Sequence, residues 1–468
     1  MSVKEFALED MVASVIMEMM NKDDDSCQPT GDGIYETIDE AVAKAKAAQP
    51  RLISLSLEKR EAILTAIRKI SLEKNEEWAK ATVAETGLGR VEDKIAENIL
   101  AATKTPGTED LDAKALSGDA GLTLIEYAPF GVIGSLTPVT NATGTLINNT
   151  ISMLAGGNTV VYNVHPSALK ISTEVIRTFH KVIVENGGPE GCVGMVATPT
   201  METAGEIMAH PDINVLVATG GAGVVKAVLS SGKKAIGAGA GNPPVLVDET
   251  ACIRKAAEEI IAGHSINNNI FCISEKEVIA VDEVADNLLK FMEETGKAAI
   301  LTPEEAQKVT ETVIHDNHVV KDYVGKNASV IIEGAGLTRL AGKKDLRCLV
   351  FEADCKHPMV WIEQMMPVLP MVRVKDVWEG IDLAVKVEQG NRHTAMMHST
   401  NVEHLTALAR AIQTTIFVKN GPSYSGIGLN GEGHATFTIA GPTGEGITSA
   451  KSFCRQRRCV LIDSFRIV

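Results

Sequence analysis

Aromatic side chains are scarce in this 468-residue chain, at 4%, with 3 Trp among them. Its cores must be aliphatic. A basic excess is also missing: 45 Lys and Arg face 60 Asp and Glu, a formal net charge of −15. No surplus of cations is available to displace counterions from a phosphate backbone, so a nucleic-acid partner is excluded. No stretch approaches the roughly 20 apolar residues that span a bilayer. Residues 1–20 carry Glu5, Glu9, Asp10 and Glu18 where an export signal has a basic start and a clean apolar run. The cysteines (Cys27, Cys192, Cys252, Cys272, Cys348, Cys355, Cys454 and Cys459) form no CxxC pair. In a chain this long they read as reduced thiols of a cytosolic protein, not as a disulfide framework. What is present is ordinary globular material: 45% hydrophobic, 22% charged and 40 Gly. At roughly 150 residues per domain, about three structural units are expected.

The N-terminus reads as a unit of its own. Leu8, Met11, Val12, Val15, Ile16, Met19 and Met20 share one face of a helix, and Glu9, Asp10, Ser14 and Glu18 the other. A polar Gly- and Pro-containing linker, residues 21–33, follows. So short a helix needs a surface on which to bury its stripe. That surface is either this protein or another; the acidic face disfavours an anionic membrane, and a docking peptide is the preferred reading.

From Ile34 to about Thr105 the pattern is helical, and Leu122–Tyr127 reads as a strand ending at Pro129. Strands and helices then alternate: strand Gly131–Gly134, helix Asn148–Leu154, strand Thr159–Tyr162, helix Ser167–Glu185, strand Asn214–Ala218, a turn Thr219–Gly223 and a helix from Val224. That alternation predicts an open, doubly wound α/β sheet. A second α/β unit is expected from about Gly241 to Val418, before a Gly-rich tail with strand-like pieces.

The turn Thr219–Gly223 sits between a strand and a helix, where free N–H groups and the helix dipole can meet a diphosphate. It is not a GxGxxG fingerprint, so a cofactor site and a tight structural turn both stay open. Gly237-Ala-Gly-Ala-Gly241 looks closer to that fingerprint, but Pro243-Pro244 follow and no helix runs through them. Ser231-Gly-Lys-Lys234 lacks the first Gly and the hydroxyl of a P-loop, and Gly263-His-Ser-Ile-Asn267 lacks the last Gly of a nucleophile elbow. Cys348, Cys355 and His357 want a fourth partner, so no metal site is expected. Cys272, after Asn267-Asn-Asn-Ile-Phe271, is either a buried structural thiol or a nucleophile.

Several stretches taken together resemble the aldehyde dehydrogenase superfamily: Pro129-Phe-Gly-Val-Ile-Gly134, Thr219-Gly-Gly-Ala-Gly223, Gly237 to Pro244, Cys272 and Glu363-Gln-Met-Met-Pro-Val368. More narrowly the chain is similar to CoA-acylating propionaldehyde, acetaldehyde and butyraldehyde dehydrogenases of bacterial microcompartments and clostridial fermentation. Ser231 to Pro244, Ile416-Phe-Val-Lys-Asn420, Phe437-Thr-Ile-Ala440 and Thr443-Gly-Glu-Gly-Ile-Thr-Ser-Ala450 add to the likeness, which runs from Ile34 to the C-terminus. The resemblance implies a Rossmann-like cofactor domain at 34–240, with 111–128 contributing to oligomerisation. It implies a catalytic cysteine domain at 241–432 and an oligomerisation tail at 433–468, behind the targeting helix 1–20 and linker 21–33.

The resemblance makes Cys272 the nucleophile and Asn141 a donor of the oxyanion hole, with the Cys272 N–H as its partner. Pro138, His165, Pro166, Thr219, Gly220, Gly221, Val224, Ala238, Gly239 and Glu363 fall at cofactor-binding positions, with Thr219–Gly221 for the diphosphate and Glu363 for the nicotinamide ribose. Cofactors implied are NAD or NADP, with coenzyme A as co-substrate; reduced cofactor leaves before coenzyme A enters. Position 238 departs from hydrolytic relatives, which carry a general-base Glu there. His165 replaces a Lys, which loosens the choice between NAD and NADP. Ala142, Gly144 and Phe271 stand where the acylating subgroup has Pro, Glu and Pro, so the aldehyde pocket is expected to differ in shape. The expected function is reversible, CoA-dependent oxidation of a short-chain aldehyde by a homodimer or homotetramer. The expected location is the cytoplasm, inside a microcompartment, with residues 1–20 binding a shell or cargo protein. The rival readings are a hydrolytic, CoA-independent enzyme and a non-catalytic interaction protein.

Overall fold

The computed structural model describes residues 30–343 and 345–468. The apolar stripe of residues 1–20, read as a docking helix, lies outside the described residues, as does the linker up to residue 29. Two compact units are present. The first holds the described residues up to Glu85, Glu97–Gly239 and His434–Val468; the second holds Thr86–Ala96 and Ala240–Gly433.

In the first unit, six parallel strands form a sheet in the order Ile34–Tyr35, Val193–Val196, Thr159–Asn163, Val132–Leu136, Val215–Thr219 and Lys234–Ala238. The four middle strands are buried nearly throughout, as a sheet covered on both faces requires. The covering helices show why they form. In Ile38–Ile53 the hydroxyl of Thr37 caps the Glu40 N–H, Asp39 and Glu40 meet the helix dipole, and Ile38, Ala41, Val42, Ala45, Ala48 and Leu52 make the buried stripe.

The helix expected at Asn148–Leu154 begins earlier and runs Ala142–Ala155, every residue buried. Thr143, Gly144 and Thr145 are poor helix formers, and burial overrides that preference. A separate antiparallel sheet joins Lys114–Gly118, Gly121–Pro129 and the C-terminal strand Cys454–Ile462.

The second unit contains seven parallel strands in the order Ala298–Ile300, Cys348–Glu352, Val368–Val374, Glu277–Val281, Pro244–Val247, Thr394–His398 and Ile416–Lys419. Pro244 opens a strand, and no helix runs through the Pro pair. The core gathers Val245, Leu246, Val278, Ile279, Leu369 and Met396 around the central strands. Among the described residues, no helix is long and apolar enough to cross a membrane.

Candidate active site

In the first unit, Leu136 lies beside both Asn163 and Ala218, and Thr219 lies beside Ala238, so four strand ends are level. From Val132–Leu136 the chain builds outward on one side and then returns to the other, which opens a crevice at the carboxyl ends. The residues following those ends are Pro138, His165 with Pro166, Gly220 with Gly221, and Gly239. Predicted cofactor residues scattered over a hundred positions therefore share one sheet edge.

Helix Ala222–Leu229 starts there, with Gly221 at its N-cap, Val224 in its first turn, and no side chain capping its first N–H groups. A Cβ placed on Gly220, Gly221 or Gly223 would meet nothing within 4 Å, so the space over the turn is open. The Thr219 hydroxyl lies 2.8 Å from that of Thr438, and the Gly220 N–H donates to the carbonyl of Ala238 at 3.1 Å. Bare N–H groups at a helix N-terminus under open space suit a dinucleotide diphosphate. Ala238 is buried and offers a methyl group. His165 is spent locally: its Nδ1 accepts the Ser167 N–H at 3.1 Å.

Asn141 is the N-cap of helix Ala142–Ala155, yet its side chain makes no capping bond. Its buried Nδ2 has no hydrogen-bond partner among the described residues. The helix behind it is pinned: Asn148 donates to Thr105 Oγ1 at 2.8 Å and accepts the Phe437 N–H at 3.1 Å. An unspent amide on a fixed helix is what an oxyanion donor needs.

The second unit carries Cys272 and Glu363. Helix Ile253–Ser265 ends in three successive left-handed residues, Asn267, Asn268 and Asn269, at φ 50°, 54° and 66°. Asn tolerates that region better than other side chains with a Cβ, and these amides are all used. The Asn267 Oδ1 accepts the Arg90 N–H at 3.0 Å, Asn268 donates to the Gly325 carbonyl at 2.9 Å, and Asn269 donates to the carbonyls of His264 and Glu275 at 2.9 and 3.0 Å.

Lys276 is fully buried and donates to Asn269 O at 2.8 Å, Asn269 Oδ1 at 2.6 Å and Phe271 O at 3.1 Å. The Lys94 ammonium stands 5.9 Å from the centre of the Phe271 ring.

Cys272 keeps part of its surface accessible. Burial, and then the charge of Glu363, push its thiol up to about 12, while the Lys276 ammonium pulls the other way. Glu363 is itself raised by burial, and its Oε1 accepts the Gly241 N–H at 3.5 Å. Gly241 threads a narrow gap, since a Cβ there would stand 2.9 Å from both the Cys272 carbonyl and the His393 ring. His393 is buried and neutral, pushed down to about 4 by burial first. Its Nδ1 meets Thr394 Oγ1 at 2.8 Å, and its Nε2 has no partner among the described residues.

Sequence reasoning missed Lys276 and His393. Lys276 stands in Ser-Glu-Lys-Glu-Val, which looks like a solvated charge run, and His393 belongs to no motif. The thiol of Cys348 lies inside a buried strand and Cys355 is exposed. A different trio, Asp248, Glu249 and His404, places one ligand atom each within 4.8 Å. The Asp248 carboxylate already serves Ser399 and His404, at 2.5 and 2.8 Å.

The fold and the cysteine loop fit one class, and the comparison with known families agrees. The aldehyde dehydrogenase family model matches residues 22–434, and the chain belongs to that family. Within it, the chain is 46% identical to the acetylating acetaldehyde dehydrogenase EutE of Escherichia coli, over 98% of this chain and 99% of that one. It is similar to the propionaldehyde dehydrogenase from the fucose utilisation microcompartment of Clostridium phytofermentans, with a TM-score of 0.90 and 47% identity over 93% of this chain and 100% of that one. It is equally similar to a Rhodopseudomonas palustris propionaldehyde dehydrogenase solved with bound CoA and an acylated cysteine, with a TM-score of 0.90 and 48% identity over 93% and 99%.

Proposed function

We propose that this protein oxidises a short-chain aldehyde, acetaldehyde or propionaldehyde, to the acyl-CoA with NAD or NADP, through a thioester on Cys272, and reversibly. Acylating enzymes match nearly the whole chain. The observation that carries the reading is Ala238: this position has no proton acceptor with which to activate water.

Cys272 adds its sulfur to the aldehyde carbon, and Asn141 and the Cys272 N–H hold the resulting oxyanion. Thr219–Gly221, with the N–H groups that follow, would hold the cofactor diphosphate, and Glu363 the nicotinamide ribose. A nicotinamide held there would supply the hydride acceptor, and loss of hydride from the adduct carbon leaves a thioester on Cys272. Glu363 opposes ionisation of Cys272 and would do so less once it held the ribose, and Lys276 is the cation favouring the thiolate. Neutral His393, with its free Nε2, is suited to take the proton released as the coenzyme A thiol attacks and Cys272 departs.

Formation of reduced cofactor from acetaldehyde and propionaldehyde, with and without coenzyme A, tests this. Without coenzyme A, about one equivalent of reduced cofactor per site is expected, and then a stall. Sustained turnover to the free acid would overturn the acylating reading.

The same reading supplies partners. Leu116, Val460, Leu461 and Ile462 expose apolar surface on the three-stranded sheet, which suits a homodimer or homotetramer. Residues 1–20 suit an address for a microcompartment shell or cargo protein. Removing 1–20 is expected to leave turnover intact and abolish co-purification with shells; shells that still retain the shortened enzyme would refute the address.

A further inference from the structure

We propose that Glu275 is a positioning residue: latched to Ser423, it holds the Cys272 loop in its reactive shape while its carboxylate is ionised. The inference rests on the reading of Cys272 as the nucleophile. Glu275 and Ser423 are both fully buried. One carboxylate oxygen accepts the Ser423 N–H at 2.8 Å, and the other accepts the Ser423 hydroxyl at 2.8 Å, across 148 residues of chain.

The main chain of Glu275 is held as firmly. Its carbonyl accepts Asn269 Nδ2 at 3.0 Å and lies 2.6 Å from His264 Nδ1. Gly263 closes the remaining side, because any Cβ there would overlap the carboxylate. With Lys276 holding Asn269 and Phe271, two adjacent residues of opposite charge brace the loop on either side of Cys272.

An ionised carboxylate satisfies both Ser423 donors with charge-assisted bonds. A protonated one must turn an oxygen into a donor and gives up that arrangement. Burial pushes Glu275 up to about 7, against the Ser423 donations and the Lys276 charge. The titratable groups that act on it or touch it are Lys276 on its own segment, His264 on helix Ile253–Ser265, and Tyr424 beside Ser423. Burial keeps His264 neutral, at about 3, and raises the Tyr424 phenol. A raised carboxylate is ionised above its pKa, so both bonds to Ser423 are charge-assisted above about 7 and that arrangement is given up as pH falls through that value, even though burial makes ionisation costly to the fold as a whole.

The test is the pH dependence of Cys272 alkylation by iodoacetamide in the full chain, followed by mass of the Cys272 peptide, alongside steady-state kinetics. The wild type is expected to show an inflection near 7 beneath the rise due to the thiol itself. Glu275→Gln is expected to remove the inflection and slow alkylation roughly tenfold at alkaline pH. Ser423→Ala keeps the N–H donor and loses the hydroxyl, so it should move the inflection to higher pH. An inflection unchanged in either variant would overturn the proposal, and Ser423→Ala decides it if Glu275→Gln fails to fold. If Cys272 is not the nucleophile, Cys272→Ala retains aldehyde oxidation while the alkylation profile still reports on the latch.

Discussion

The glycine edge of the first unit, proposed to take the cofactor, and the cysteine loop of the second are built on opposite principles. The edge is backbone: Gly220, Gly221 and Gly223 stand under open space, with N–H groups and a helix N-terminus as its working parts. The loop is side chain: Asn267, Asn268, Asn269, Glu275 and Lys276 spend their polar atoms in buried bonds that fix a single thiol. A backbone site is shaped by what the residues lack. The loop depends on each side chain finding its partner.

The contrast can be broken most severely at its chemical centre. Cys272→Ala is expected to abolish aldehyde oxidation while leaving cofactor affinity unchanged, read by titrating the fluorescence of the reduced cofactor. Residual acylating turnover would move the nucleophile to another thiol. Next in size, Asn141→Ala should lower kcat by roughly 10²–10³-fold, the usual effect of losing one oxyanion donor. Stopped-flow measurement of the pre-steady-state phase isolates that step, and an unaltered rate removes Asn141 from the mechanism. Lys276→Met probes the bracing: two main-chain carbonyls and an amide oxygen lose a charged donor, so about 3 kcal/mol of stability should go, measured by urea unfolding. A melt indistinguishable from the wild type would show that the braces do not hold the loop.

The smallest effect sharpens the other side. Gly221 sits at φ −62° and ψ 159°, a conformation open to any residue. Gly221→Leu is therefore expected to fold normally, fill the open space and raise the KM for NAD by roughly tenfold, with kcat little changed. A KM that did not move would take the diphosphate away from this turn.

These opposite principles also decide what could be read before the fold was known. Gly and Pro leave marks: Thr219–Gly223 announced a turn between strand and helix, and Pro243-Pro244 excluded a helix where a strand stands. Cys272 drew notice through the Asn run before it, whose left-handed backbone explains the choice of Asn. Glu275, Lys276 and Glu277 were illegible, because a Glu-Lys-Glu run looks solvated and all three are fully buried. The Glu275 carboxylate finds its partner 148 residues along the chain, and no local pattern records a contact with Ser423. His393 needs a neutral ring beside a glycine gap, and a single His reports neither. The early start of helix Ala142–Ala155 was hidden by Thr143, Gly144 and Thr145, whose preferences tertiary packing overrides.

The C-terminal strand Cys454–Ile462 pairs with Gly121–Pro129 along nine register positions, and Arg455 meets Pro129 across 326 residues of chain. The whole of Ala240–Gly433 lies between them in sequence but belongs to the other unit. On a ribosome, the sheet cannot close until nearly all of the protein has emerged. The interrupted first unit must keep a long strand waiting with an unsatisfied edge, whereas most of the second is made without interruption. Distant pairing is slow, and an exposed strand is an invitation to its neighbours on a polysome. Production of this enzyme should thus be limited by the fate of that waiting strand, and lower synthesis temperature or chaperone supply should raise the yield of native protein.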